Sequence, residues 1–413
     1  MSALNSVVIV GGGQAGFQTA ASLRQGGFAG RIIIVGDEPG VPYQRPPLSK
    51  AYLLGKIGAH AIRFRQPEYF EEHRIERLHD SVTRIDRAAR HVELASGTVI
   101  PYDHLVLATG ARNRVPELPG IELDGVIGLR TLADADTLSP RISSIRSAVV
   151  IGAGFIGLEF AAVAAAKGVA VHVIELGERP MARAISKPMS DLFTAGHASW
   201  GVQIDFRQKL RRILGIEGKV SGVELEDGRV IAAGLVVYGI GVLPNAELAA
   251  AAGLTVNNGI CVDELLLTSD PDISAIGDAA NFTSCYADKP VRLESVQNSV
   301  DQGKAVAARL MGKPSPYTAL PWFWTDQGAL RLQIAGLADG HDETVQVGAA
   351  DGHQLAVLCF RQGRLIAVET ANRTADHMAA RKLLARNTPL TPAQAREPGF
   401  ELKAYEAATK DNT

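Results

Sequence analysis

The sequence predicts an α/β protein built on two Rossmann-like βαβ units, with a smaller α+β segment at its end. Three observations carry this expectation. A short apolar strand pattern runs into a glycine turn near the start, the same order returns in the middle of the chain, and short alternating strands take over after a proline-rich stretch. The 413 residues are too many for one ordinary core and suit two or three domains of roughly 100–200 residues each. A formal net charge of −2 gives no sign of a nucleic-acid or membrane-surface partner.

The elements follow in order. Ser6–Val10 is a β-branched, buried-strand pattern, then come glycines, an alanine-rich helical stretch from Ala15 to Arg24, and a second strand, Arg31–Val35, that ends beside Asp37 and Glu38. Ala148–Ile151, further glycines, the helical stretch Leu158–Lys167 and the strand Ala170–Ile174, ending at Glu175, repeat that unit. Each copy is followed by a hairpin, around Ser96-Gly97 and around Asp227-Gly228, and then by a buried strand, Leu105–Ala108 and Leu235–Tyr238. The second of these exits breaks at Gly239, Gly241 and Pro244. The strand-and-turn segment 260–278 and the helix pattern Val296–Leu310 begin no third glycine turn and read as a return to the first domain. Pro314, Pro316 and Pro321 mark a linker, and the remainder alternates short strands with one late helix, Ala375–Arg386. The domain order is therefore 1–110, 111–243, a return over 244–318, and a tail over 319–413.

Gly11, Gly13 and Gly16 form a GxGxxG that follows a strand and opens a helix, with Asp37 about 20 residues on. The first glycine permits the tight turn, the second lets backbone approach a pyrophosphate, and the third lets helix and strand pack closely. A lone GxGxxG is weak. Gly152, Gly154 and Gly157, with Glu175 at the end of the next strand, repeat the whole context, so two dinucleotides are expected. An acidic side chain at that place accepts from a ribose 2′-hydroxyl and repels a 2′-phosphate, so Glu175 favours NADH over NADPH. Leu176 and Gly177 offer no compensating cation, and Arg179 is close enough to offset it.

Cys261, Cys285 and Cys359 are three in number and far apart, with no CxxC among them. Four thiolates would be needed for an iron–sulfur cluster, so any cluster must belong to a partner. No metal site is expected. The apolar start Val7–Val10 is too short for a secretory signal or a membrane span, and a reducing, cytoplasmic setting fits the cysteines.

Further stretches carry a family likeness. Arg45-Pro46-Pro47-Leu48-Ser49-Lys50, Ala108-Thr109-Gly110, Leu129-Arg130-Thr131-Leu132, Ile156-Gly157-Leu158-Glu159, Gly239-Ile240-Gly241-Val242-Leu243-Pro244-Asn245, Glu294-Ser295-Val296 and Pro321-Trp322-Phe323-Trp324 occur in this order over nearly the whole chain. With them the chain resembles the NADH-dependent ferredoxin reductases that serve bacterial cytochrome P450s and aromatic-ring dioxygenases. The resemblance implies the glutathione-reductase type of fold: a FAD-binding domain in two parts (1–110 and 244–318), an NADH-binding domain (111–243) and a C-terminal α+β domain (319–413).

It also implies site residues. Gly11, Gly13, Ala15, Gly16, Asp37, Arg45, Lys50, Val82, Arg130, Asp278, Val296 and Trp324 would serve FAD. Gly152, Gly154, Phe155, Ile156, Gly157, Glu159, Glu175, Arg183 and Gly241 would serve NADH. Within these sets the resemblance places Ala15 at the FAD pyrophosphate, Val82 at the adenine, Asp278 at the ribitol and Arg183 near the NADH pyrophosphate. Val296, at a helix start whose N–H groups favour negative charge, would meet the flavin pyrimidine edge. Lys50, Glu159 and Trp324 would be the catalytic group, a cation near flavin N5, a carboxylate near the nicotinamide and a ring beside both. Taken alone, Lys50 reads as a solvated loop cation, Glu159 as an ordinary helix contact, Arg183 as a surface arginine, and the tryptophans, two apart on one strand face, as core aromatics.

The expected reaction takes hydride from NADH to FAD and gives electrons singly to a [2Fe–2S] ferredoxin that feeds a cytochrome P450 or dioxygenase. Disulfide reductases and NADH peroxidases share the fingerprints but need early cysteines, and none is present around Pro42. A sensor resembling apoptosis-inducing factor, or another NADH:acceptor flavin reductase, would have the same fold. Arg65, Arg309, Arg331 and Arg373 are the cations considered for docking an acidic ferredoxin.

Overall fold

The computed structural model describes residues 4–348 and 353–410. Two compact units emerge: Met1–Gln44 with His60–Arg112 and Val242–Ala319, and Arg45–Ala59 with Asn113–Gly241 and Leu320–Thr413. Arg45–Ala59 thus groups apart from the chain on either side of it, and the tail groups with the second βαβ unit.

In the first unit five parallel strands lie in the order Ile273–Ala275, His104–Leu107, Ser6–Val10, Arg31–Gly36, Ile75–His79. The late segment 260–278 therefore supplies an edge of the first sheet. Val7, Ile9, Ile32 and Ile34 pack on one face, with Phe17 and Leu23 of the helix Gln14–Gln25 and Val306 of the helix Val296–Leu310. Val8, Val10, Ile33 and Val35 pack on the other, with Ile85, Val92 and Ile100 of an antiparallel three-stranded sheet. Burial on both faces explains the unbroken apolar runs. The proline linker is anchored here: Tyr317 donates its N–H to Glu264 O (2.8 Å) and packs on Phe282 at 5.4 Å between ring centroids.

The second unit repeats the parallel sheet in the order Gln203–Asp205, Ala170–Ile174, Ser147–Ile151, Leu235–Tyr238, Val126–Gly128. Its helix Phe155–Ala166 is buried almost all round, as its alanines and apolar residues require. The tail forms an antiparallel five-stranded sheet in the order Trp322–Gln327, Leu330–Gly336, Arg364–Ala371, Leu355–Arg361, Glu343–Val347. The helix Thr374–Ala385 covers it through Ala379, Ala380, Leu383 and Leu384. The expectation of one late helix is corrected, because Pro392–Ala395 and Leu402–Ala408 are also helical. Both are too short to show a period in sequence, and the first is held by a reciprocal cap between Thr391 and Gln394. Among the described residues no helix is long and apolar enough to cross a membrane.

Candidate functional site

In the first unit the strand Ser6–Val10 delivers the first glycine turn. Gly11 has φ +112°, and a Cβ on it would lie 2.1 Å from Ala108 O. A Cβ on Gly16 would lie 2.0 Å from Gly11 O, so helix and turn approach closer than any side chain allows. Gly13 is different: a Cβ there meets nothing within 4 Å. Gly13 is also the N-cap of the helix Gln14–Gln25, which no side chain caps, so the first N–H groups remain available to an anion. Room and donors for a pyrophosphate are therefore built in.

The other first-unit residues converge on this turn. A Cβ on Gly277, the neighbour of Asp278, would touch Ala15 Cβ at 3.0 Å and Ser299 Oγ at 3.3 Å. Gly277 N–H donates to Gln302 Oε1 (2.7 Å), which ties the Asp278 turn to the helix beginning at Val296. Ser295 caps that helix by accepting from Asn298 N–H. Asp37 is exposed at the end of its strand, where its carbonyl meets His79 Nε2 at 3.1 Å. Asp80 N–H donates to Gly36 O (3.0 Å), so the chain leading to Val82 runs beside Asp37. Arg45, Lys50, Arg130 and Trp324 fall in the second unit.

There the second fingerprint repeats the geometry. A Cβ on Gly157 would lie 2.3 Å from Gly152 O, and Gly154 is an N-cap without a side-chain cap. Phe155 begins the helix and packs on Phe323 at 4.6 Å, while Ile156 is 40% exposed beside the turn. The loop holding Gly241 supplies Gly239 O, 2.8 Å from where a Cβ on Gly152 would stand. Glu175 accepts from Ala153 N–H and Gly177 N–H, each at 2.6 Å, so its carboxylate stands at the turn. Arg179 is committed elsewhere, donating to Ile185 O (2.6 Å), Ser190 Oγ (2.7 Å) and Ala182 O (2.9 Å). It orders the loop that presents the exposed Arg183.

Lys50 and Glu159 meet directly. Lys50 Nζ lies 2.6 Å from Glu159 Oε1, with side chains 18% and 3% exposed. Leu48–Tyr52 forms a wide helical turn that departs from helical geometry at Lys50, φ −130° and ψ −107°, and Lys50 Nζ also donates to Pro46 O (3.2 Å). Such a buried pair stands only if its remaining lone pairs are satisfied. Two residues that sequence reasoning did not assign satisfy them: Ser49 Oγ donates to Glu159 Oε2, and Thr325 Oγ1 to Glu159 Oε1 (2.5 Å). Ser49 is part of the Pro-Pro-Leu-Ser-Lys stretch, and Thr325 follows Trp-Phe-Trp directly.

Arg45 Nη1 donates to Arg130 O (3.0 Å), and Arg130 N–H to Asp134 Oδ2 (2.9 Å) at the capped start of Leu132–Ser144. Trp324 is half-buried, its ring 5.5 Å from that of Trp322 at 30°, as residues sharing a strand face allow. Arg381 lies 4.5 Å above the Trp322 ring.

Two of the four arginines considered for docking are committed internally. Arg309 donates to Ser274 Oγ (2.5 Å) beside His104 (3.3 Å), and Arg373 pairs with Asp376. Arg309 lies in the last turn of a helix that packs on the glycine-turn helix, a placement its sequence neighbours do not reveal. Among the described residues no cluster of histidine, cysteine and carboxylate side chains is arranged for a metal, and all three cysteines are unbridged.

Comparisons with known proteins agree with this geometry. Residues 5–303 match the pyridine nucleotide-disulphide oxidoreductase family and residues 322–406 the reductase C-terminal family. Rhodocoxin reductase of Rhodococcus erythropolis is 51% identical over 98% of this chain and 95% of its own. The crystal structure of the ferredoxin reductase for the CYP199A2 system of Rhodopseudomonas palustris superposes with a TM-score of 0.95 at 47% identity, covering 97% of this chain and 100% of that one. The covalent putidaredoxin reductase–putidaredoxin complex matches with a TM-score of 0.95 at 37% identity over 98% and 99% of the two chains.

Proposed function

Because the chain belongs to the pyridine nucleotide-disulphide oxidoreductases, and within them to the ferredoxin reductases, we propose that it is an NADH:ferredoxin oxidoreductase with FAD as its resident group. Its electrons go to a [2Fe–2S] ferredoxin serving a cytochrome P450 or a ring-hydroxylating dioxygenase. The observation that carries the reading is the buried Lys50–Glu159 pair in the unit that also holds the second glycine turn and Trp324. When bound, FAD supplies the conversion between a hydride donor and a one-electron acceptor.

The protein's own groups do the rest. In this reading Gly11, Gly13, Ala15 and Gly16 cradle the FAD pyrophosphate, Asp37 and Val82 take its adenosine end, and Asp278 and Val296 take the ribitol and pyrimidine edge. Arg45 and Arg130 add positive charge toward its phosphates. Gly152, Gly154, Phe155, Ile156, Gly157, Arg183 and Gly241 seat NADH, and Glu175 accepts from its ribose 2′-hydroxyl. Lys50 and Glu159 hold opposite charges against those that develop when hydride leaves the nicotinamide, and Trp324 shields the site from water. The domain assignment is 1–110 with 244–318 for FAD, 111–243 for NADH and 319–413 as the C-terminal domain. Unbridged Cys261, Cys285 and Cys359 support a cytoplasmic setting.

Cytochrome c reduction by NADH with a panel of [2Fe–2S] ferredoxins tests this. A strong preference for one ferredoxin is expected. Rapid reduction of the flavin with no delivery to any of them would instead favour a sensor.

A further inference from the structure

The strand Trp322–Gln327 has two faces. Trp322 and Trp324 occupy one, while Phe323, Thr325 and Gln327 point to the other. On that second face Phe323 packs on Phe155, and Thr325 and Gln327 are both fully buried. Their polar atoms form a single file. His197 Nε2 lies 2.9 Å from Gln327 Oε1, Gln327 Nε2 donates to Thr325 Oγ1 (3.4 Å), and Thr325 Oγ1 donates to Glu159 Oε1 (2.5 Å).

Each polarity in this file is forced. An amide oxygen only accepts, so His197 carries its proton on Nε2; an amide nitrogen only donates, so Thr325 must send its own hydrogen to the carboxylate. Burial lowers the His197 pKa and keeps the ring neutral, and its Nδ1 meets no partner. The bonds from His197 through Gln327 and Thr325 therefore all run toward Glu159, and Gln327 Nε2 also donates to Met181 Sδ (3.6 Å). Other charges near the helix Phe155–Ala166 face elsewhere. Asp326 lies on the tryptophan side of its strand near Arg331 (3.6 Å), and His172 pairs with Asp205 (3.1 Å). Lys50 is the charged group that faces Glu159.

We propose that Thr325 and Gln327, backed by His197, are positioning residues for hydride transfer: the tail reaches into the reaction by aiming a line of donors at Glu159, which fixes the carboxylate on which Lys50 rests. This inference rests on the proposed role of the Lys50–Glu159 pair. A charged group at a reacting centre keeps its aim only while its own hydrogen bonds hold it. Removing the Thr325 hydroxyl therefore slows hydride transfer while nucleotide binding is kept.

The test uses the FAD-loaded protein in anaerobic stopped flow, following flavin reduction at saturating NADH, together with NAD⁺ binding by calorimetry. In Thr325→Val the limiting rate should fall about tenfold, the scale that a hydrogen bond to a charged group is typically worth. NAD⁺ affinity should stay within about twofold, since a uniform loss of binding would not change the limiting rate. Thr325→Ser should restore the wild-type limiting rate, and Thr325→Cys, a weaker donor, should fall between; these two suffice if the valine variant does not fold. A wild-type limiting rate in Thr325→Val or Thr325→Cys, while Glu159→Gln is slowed, overturns the inference. A Glu159→Gln variant as fast as wild type overturns the reading on which it rests.

Discussion

Gly13 and Gly16 stand three residues apart in one turn and would answer an added methyl group differently. A Cβ on Gly16 collides with Gly11 O, whereas one on Gly13 enters open space. Gly16→Ala should therefore lower the melting temperature of the apoprotein. Gly13→Ala should leave it nearly unchanged and weaken FAD binding, as apoprotein calorimetry and flavin titration would show. A similar separation applies to Glu159. Replacing it with Ala strands a largely buried Lys50 and should slow flavin reduction on the order of a hundredfold, the usual scale for losing one aimed electrostatic partner. Stopped flow should show that loss while the FAD content remains that of the wild type. Sequence reading reached the glycines because their requirement is local backbone geometry. It reached Lys50 and Glu159 through resemblance, and it missed Ser49 and Thr325 because their role depends on which helix their hydroxyls face.

At the scale of elements, the loop between Ile174 and the helix Lys187–Ser199 is ordered from both ends. Arg179 binds its carbonyls, Met181 N–H donates to Ala153 O (2.9 Å), and the buried Glu369 accepts from Ser186 N–H (2.7 Å) and Ser186 Oγ (2.6 Å). Burial raises the Glu369 pKa above the ordinary carboxylate range. A group raised in this way contributes its full stability below its unfolded pKa, and that contribution is lost as pH rises through the folded value. The melting temperature of the wild type should thus fall relative to Glu369→Gln as pH increases from the carboxylate range toward neutrality. Arg179 is committed to the carbonyls of the loop and to Ser190, and the Glu175 carboxylate stands at the glycine turn against a 2′-phosphate. NADH should exceed NADPH in kcat/KM by at least tenfold, and Glu175→Ala should narrow that ratio. The parallel strands were legible as β-branched runs buried on both faces. The wide turn at Lys50 and the two short terminal helices were not, since propensity over so few residues is weak and tertiary contacts decide.

Over the whole molecule, acid sensitivity should come from histidines buried without charge. His104 is pushed down to about 3 and His377 to about 4, both chiefly by burial, and His197 is lowered for the same reason. Lowered folded values mean that stability is intact above the ordinary histidine pKa of about 6.5 and is lost as pH falls toward the folded values, because the unfolded chain binds the protons. Melting temperature should drop between pH 7 and pH 5, and less steeply in His377→Phe. Duplication of the βαβ unit was readable from the chain alone; the grouping of Arg45–Ala59 with the second unit was not, because it depends on contacts distant in sequence, such as Lys50 with Glu159 and Tyr52 with Asp136. The two glycine turns carry unequal work in this reading, one for a resident FAD and one for a visiting NADH. Double-mixing stopped flow measures that division most directly: the FAD-loaded protein is mixed anaerobically with NADH and then with a [2Fe–2S] ferredoxin. Flavin absorbance should bleach with saturable dependence on NADH, and two equivalents of ferredoxin should then be reduced per flavin. Bleaching that is not followed by ferredoxin reduction, or no bleaching at all, would contradict it.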